Sequence, residues 1–311
     1  MKRIITLTMN PTIDFSADID HVVAERKLRC SNPRREPGGG GINVSRAIRS
    51  LGGTSTVVYP AGGELGGLLR RLLDDEDLRH DSVSIAGETR ENVMIMETAT
   101  GRQYRFGMPG PMLEEKEWRA CIDMVIKLKP EDAFVVASGS LPSGVPADFY
   151  AMLARSVKQA SGRIALDASG EALEAAVNEG VYLIKPNMRE FCHLAGHPMD
   201  CDTDQELAAR EIVERGGAEI VVVSQGAAGA LVTDEEGSKH YRSPVVPVKS
   251  RVGAGDSMMA GLISSLALGN LLEEAVRFGV AAGAAAVLTP GSELCRGEDV
   301  TRIYEKMIAH D

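Results

Sequence analysis

The sequence has no apolar run approaching the roughly 18 residues that suggest a membrane-spanning helix, and the run at residues 4–8 is too short for a signal-peptide core. Its five cysteines, Cys30, Cys121, Cys192, Cys201 and Cys295, show no short paired spacing, and an odd number excludes complete pairing within the chain. Reduced thiols in a soluble, cytoplasmic protein are the expectation. Positive charge is also short: a net charge of −10 argues against a nucleic-acid or membrane-surface binder, which needs a cationic face. There is no Walker pattern ending in Gly-Lys-Ser/Thr, and Asn43 stands where a Rossmann fingerprint requires glycine. His193 and His197 beside Cys192 make a poor zinc set, because Gly196 and Pro198 break any helix presenting them together.

No internal repeat or low-complexity linker divides the 311 residues, and 44% apolar composition supports one large α/β domain, with or without an appendage. Strand-like runs at residues 4–8, 55–59, 133–137, 163–166, 182–184 and 219–224 alternate with helical patterns at 42–51, 65–73, 114–128, 147–160 and 204–215. That alternation predicts a mainly parallel sheet covered on both faces. The C-terminal part turns helical, at 255–268, 272–288 and 297–309.

Two segments break the rhythm. Residues 13–36 lack a helical pattern, and residues 92–106 read as a hairpin turning at 98–101. Both carry basic residues, including Lys27, Arg29 and Arg105, and Arg90 stands just before the hairpin, which suggests a small separate sheet covering an anionic ligand. Such a sheet exposes edges and apolar faces, which favours pairing with a second copy.

Residues that carry chemistry gather where strands or loops become helices. Gly253-Ala254-Gly255-Asp256 opens a long apolar helix, where glycine backbone and unpaired first-turn N–H groups make an anion pocket. Asp256 there is either a helix cap or a base. The run Gly38-Gly39-Gly40-Gly41 before Asn43 is either a tight turn or a close approach of backbone to ligand. Asp14 follows the first strand and can accept from sugar hydroxyls or cap a turn. Asn187 and Glu190 fit a capping box and equally a site for Mg²⁺-bound water. Ser224, Gly226 and Gly229 close a further strand.

Together these stretches resemble the phosphofructokinase B family of ribokinase-type sugar kinases over nearly the whole chain. Lys27-Leu28-Arg29-Cys30, Gln103-Tyr104-Arg105-Phe106, the stretch from Asp167 to Leu173 and that from Arg277 to Gly283 look like its bacterial 6-phosphofructokinase branch. Gly40 stands where 1-phosphofructokinases and tagatose-6-phosphate kinases usually carry lysine, which favours fructose 6-phosphate over those two alternatives. A silent sugar-phosphate-binding regulator is the reading from another class, and the retained Asp256 argues against it.

The resemblance implies a ribokinase-like three-layer α/β/α fold, with a mainly parallel central sheet and a small β-sheet lid. The large domain would comprise residues 1–12, 37–88 and 107–311, and the lid, a dimer contact, residues 13–36 and 89–106. It implies Asp256 as the base and Gly253, Ala254 and Gly255 as the amides that stabilise transferred charge. Asp14, Gly38, Gly39, Asn43, Ser138 and Gly139 would hold the sugar, and Lys27, Arg29, Arg90 and Arg105 its phosphate. ATP would lie against Lys185, Asn187, Ser224, Gly226 and Gly229, with Glu190 organising Mg²⁺. Ser250, Val252, Ala286, Thr289 and Gly291 would offer oxygens to K⁺.

Overall fold

A computed structural model describes residues 1–199 and 201–309. The chain opens with β1 (Ile4–Leu7), β2 (Thr12–Ile19), β3 (Ser31–Gly38), α1 (Gly40–Ser50), β4 (Thr56–Ala61), α2 (Gly63–Asp75), β5 (Arg79–Ser84), β6 (Arg90–Glu97) and β7 (Arg102–Phe106). It continues through α3 (Glu115–Lys127), β8 (Phe134–Ser138), α4 (Phe149–Gln159), β9 (Arg163–Asp167), α5 (Glu171–Glu179), β10 (Val181–Ile184), α6 (Met188–Ala195), α7 (Asp202–Glu214) and β11 (Ala218–Ser224). A 3-10 turn (Gly226–Ala228) leads to β12 (Ala230–Asp234) and β13 (Gly237–Tyr241), and α8 (Ala254–Leu268), α9 (Leu272–Ala286) and α10 (Gly297–Ile308) follow.

A nine-stranded sheet in the order β13-β12-β11-β10-β9-β8-β1-β4-β5 forms the middle layer. Its pairs are parallel from β5 across to β11, while the β11–β12 and β12–β13 pairs are antiparallel. Successive strand residues point to opposite faces, and here both faces are buried. Ile4, Phe134, Val136, Leu183 and Val222 pack with α1, α8, α9 and α10, while Ile5, Val135, Ile164, Ile184 and Val221 pack with α3 to α7. Such strands read as unbroken apolar runs, and each one expected from the sequence is present. Helix α8 is buried continuously from Ser257 to Ala267, which fits its lack of a polar face.

The expected second sheet is present with four strands in the order β3-β2-β6-β7. Strands β2 and β6 run parallel, so Asp14 lies across from Asn92, while the hairpin of β6 and β7 pairs Val93 with Phe106. Its residues 31–35 on β3 and Phe106 on β7 are exposed. Three strands and one helix went unread. Strand β5 buries only Val83, β13 only Tyr241, β12 belongs to a local antiparallel hairpin, and α5 is nine residues long.

Candidate active site

Parallel strands bring the candidate residues to one edge. The chain leaves β1 toward Asn10 and Asp14, β8 ends at Ser138, β9 at Asp167, β10 leads to Lys185 and Asn187, and β11 ends at Ser224. Ligands of open α/β sheets bind at this carboxyl edge. Facing it is the start of α8, whose N-cap Gly253 is left-handed at φ 73°. The loop before it is pinned by Ser250, whose buried hydroxyl donates to the Gly291 carbonyl at 2.6 Å and accepts from the Val252 amide at 3.2 Å. First-turn amides of a helix have no intrahelical acceptor, so those of Ala254, Gly255 and Asp256 remain available to an anion.

Asn43 Nδ2 on α1 donates to Asp256 Oδ2 at 2.9 Å. Burial, the main cause, pushes the Asp256 carboxyl up to about 6; Asp167 and Asp14 add to the rise, while Asn43 and Lys185 oppose it. Lys185 is buried, with Nζ 3.0 Å from Asp167 Oδ2. Burial alone would weaken its charge, but Asp167 more than offsets this and holds the ammonium above its usual range. A Cβ on Gly255 would lie 3.5 Å from that ammonium, so the cation sits directly beneath the helix turn.

The glycine run packs against the chain itself. A Cβ on Gly38 would stand 2.1 Å from Asp14 Oδ2, and one on Gly40 2.2 Å from Ser138 Oγ, so no side chain fits at either position. Asp14 accepts from Asn92 Nδ2 at 3.1 Å, and burial raises its carboxyl against the opposing effects of Asn92 and Arg90. Arg90 donates to the carbonyls of Met108 at 3.0 Å and Asn10 at 2.9 Å, while its buried Nε has no partner. Burial lowers the Arg90 pKa, partly offset by Asp14. A cavity of about 580 Å³ runs between the small sheet and the starts of α1 and α8, lined by Asp14, Gly39, Asn43, Arg90, Arg105, Val252, Gly253 and Asp256 among others.

Not every expected residue reaches that cavity. Lys27 and Arg29 are exposed on the loop between β2 and β3 and do not line it. Ser138 is buried behind the glycine run, and Gly139, at φ 109°, accepts from the Tyr150 hydroxyl at 2.8 Å. Asn187 and Glu190 form the full capping box: each accepts from the other's backbone N–H, at 3.0 and 2.9 Å. Burial and Asp167 raise the Glu190 carboxyl. Asn187 bridges to Ser224, and Gly226 faces open space. A Cβ on Gly229 would collide with the Tyr241 carbonyl, so packing against β13 already accounts for that glycine.

At the proposed cation oxygens, the Thr289 hydroxyl lies 2.7 Å from the Ala286 carbonyl and 2.6 Å from that of Glu293, its one proton shared between them. No group of three or more His, Cys, Asp or Glu side chains among the described residues is placed to hold a metal. Sequence reasoning missed Asp167 as the partner of Lys185, and Asn92, Arg251 and Ser292 on the cavity wall. Of these, only Asp167 carried a signal, its place at the end of a predicted strand.

A carboxylate and open amides at the first turn of a buried helix, faced by arginines across a cavity at the carboxyl edge of an open sheet, suit transfer of an anionic group to a hydroxyl. The chain belongs to the pfkB family of carbohydrate kinases, whose profile it matches over residues 4–298. The ATP-dependent 6-phosphofructokinase isozyme 2 of Escherichia coli (strain K12) is 44% identical over 305 residues, covering 98% of each chain. Its namesake from Mycobacterium tuberculosis (strain H37Rv) is 44% identical over 303 residues, 97% of this chain and 89% of that one. A 1-phosphofructokinase from Bacillus subtilis (strain 168) is more distant, at 33% over 282 residues and 91% of each chain.

The crystal structure of phosphofructokinase-2 from Escherichia coli in complex with potassium matches with a TM-score of 0.96 at 43% identity, covering 99% of this chain and 100% of that one. Structures of that enzyme in complex with fructose-6-phosphate and in a tetrameric inhibited form match at 0.94, with the same identity and coverage. The family and the three-layer fold expected from the sequence are therefore both borne out.

Proposed function

We propose that this chain is an ATP-dependent 6-phosphofructokinase, phosphorylating fructose 6-phosphate on its C1 hydroxyl. The observation that carries the reading is Asp256, held by Asn43 at 2.9 Å, raised to about 6 and placed at the open amides of α8. The names of the relatives that match over the whole chain support the sugar. The 1-phosphofructokinases, at lower identity, are the weaker alternative.

In this reading Asp256 accepts the C1 hydroxyl proton as that oxygen forms a bond to the γ-phosphorus. The bond from that phosphorus to the β–γ bridging oxygen breaks, and ADP leaves with its electrons. Amides of Gly253, Ala254 and Gly255 hold the charge spread over the transferred oxygens. Asp14, Gly38, Gly39 and Asn43 hold sugar hydroxyls, with Ser138 and Gly139 behind them. Arg90 and Arg105 take the 6-phosphate, and the unpartnered Nε of Arg90 is a donor such an oxygen would satisfy. Lys185, Asn187, Ser224 and Gly226 border the nucleotide phosphates, and Gly229 shapes the adjoining hairpin.

Mg²⁺ supplies charge neutralisation between the nucleotide oxygens when bound. Glu190 fits it, since a cation would relieve the burial and the Asp167 repulsion that raise its carboxyl. For K⁺, residues 250–252 and 286–291 fit as neutral oxygen donors on two adjoining loops bridged by Ser250. The small sheet serves as a lid and, through its exposed edge, as a homodimer contact that brings Lys27 and Arg29 of a second copy to the cavity. Among the described residues no helix is long and apolar enough to cross a membrane, and we place the enzyme in the cytoplasm.

The test is Asp256→Asn. A base of this kind contributes about 10²- to 10⁴-fold to turnover, so kcat should fall by that factor while sugar-phosphate affinity is kept. Near-normal kcat would remove Asp256 from the base role.

A further inference from the structure

Glu36, near the end of β3, holds two parts of the molecule at once. Its Oε1 accepts from Arg46 Nη2 at 3.2 Å and its Oε2 from Ser292 Oγ at 2.6 Å. Arg46 lies on α1 one turn beyond Asn43 and also reaches the Pro37 carbonyl at 3.2 Å and Glu76 at 2.8 Å. This anchors Glu36 to the large domain. Ser292 adjoins Gly291, whose carbonyl accepts from the Ser250 hydroxyl at 2.6 Å. A Cβ on Gly291 would also lie 3.6 Å from Met94 Cε on β6. The loop at residues 289–293 therefore rests on the small sheet at two points. On that sheet Glu36 is the register partner of Asp14, the carboxylate that lines the cavity.

We infer that Glu36 is a positioning residue which, through Ser292, couples sugar-phosphate binding at the small sheet to monovalent-cation binding by the loops at residues 250–252 and 286–291. The inference rests on the function proposed above. A ligand that fixes β2 and β3 fixes the carboxylate that holds Ser292, and so restrains the loop presenting the Thr289 and Gly291 oxygens. A cation held there restrains the same contact from the other end. Linkage makes the effect reciprocal: whatever factor the cation adds to sugar affinity, the sugar adds to cation affinity.

Binding can be read without turnover, by calorimetry of fructose 6-phosphate in the absence of nucleotide, with K⁺ or tetramethylammonium at equal ionic strength. In the unmodified protein K⁺ should tighten sugar binding about tenfold, within the usual range of site–site coupling. Ser292→Ala, at a partly exposed position, should reduce that factor to about twofold or less, and Ser292→Thr, which keeps the hydroxyl, should restore it. The coupling is overturned if K⁺ has no effect on the unmodified protein, or if Ser292→Ala leaves the factor unchanged. Failure of the unmodified protein to bind fructose 6-phosphate in either salt would instead overturn the sugar assignment.

Discussion

Asp256→Asn should make the protein more stable while it destroys turnover, because the carboxylate sits where burial opposes its charge. Each pKa unit is worth ~1.4 kcal/mol. Raising this carboxyl from 3.8 to about 6 therefore costs the folded state ~3 kcal/mol once the group is ionised. Asp256 keeps partial contact with solvent in the cavity, and screening reduces the figure to ~1–2 kcal/mol. The sign follows from linkage. Below 3.8 the carboxyl is protonated both folded and unfolded, and the cost is absent; it grows from there to about 6 and is complete above that.

The substituted amide keeps an oxygen to accept from Asn43 and carries no charge. Thermal unfolding at pH 8 should then show the variant melting about 1–3 °C above the unmodified protein. The advantage should fall to about half at pH 5 and vanish below pH 4. Equal or lower stability of the variant at pH 8, or an advantage that does not change with pH, would refute the reasoning.

Arg90→Ala removes charge-assisted hydrogen bonds of ~1.5–3 kcal/mol, so KM for fructose 6-phosphate should rise about 10- to 100-fold with KM for ATP little changed; equal losses would place Arg90 elsewhere. At Gly38 an added Cβ would stand 2.1 Å from Asp14 Oδ2 and 2.8 Å from Thr12 Cγ2. Gly38→Ala should therefore raise the sugar-phosphate KM by at least about tenfold, as losing a hydrogen bond to a charged group costs ~1.5–3 kcal/mol, and an unchanged KM would show that Asp14 does not touch the sugar.

Strands buried on both faces were legible because nothing polar interrupts them: residues 133–137 and 219–224 could be little else. Polar edges such as β5 and β13 carry no apolar run and can be seen only once a neighbour pairs with them. In the site, the spacing of Asn187 and Glu190 admitted both a capping box and a cation site, and the structure shows the box. The glycine run was legible as a close approach, but not that Asp14 and Ser138 are what it approaches. Asp167 and Lys185 meet because β9 and β10 are neighbours, which no local pattern reveals. Arg251 and Ser292 lie in loops, where no periodicity tells which way a side chain turns. Lys27 and Arg29 were legible as charge, yet a charge run does not say whether it faces its own cavity or that of a second copy.

The central claim is most directly tested by coupled ADP release with Mg²⁺-ATP, comparing kcat/KM for fructose 6-phosphate, tagatose 6-phosphate and fructose 1-phosphate on the unmodified protein. A clear preference for fructose 6-phosphate is predicted; a preference for either of the others, or no turnover of any of them, would contradict it.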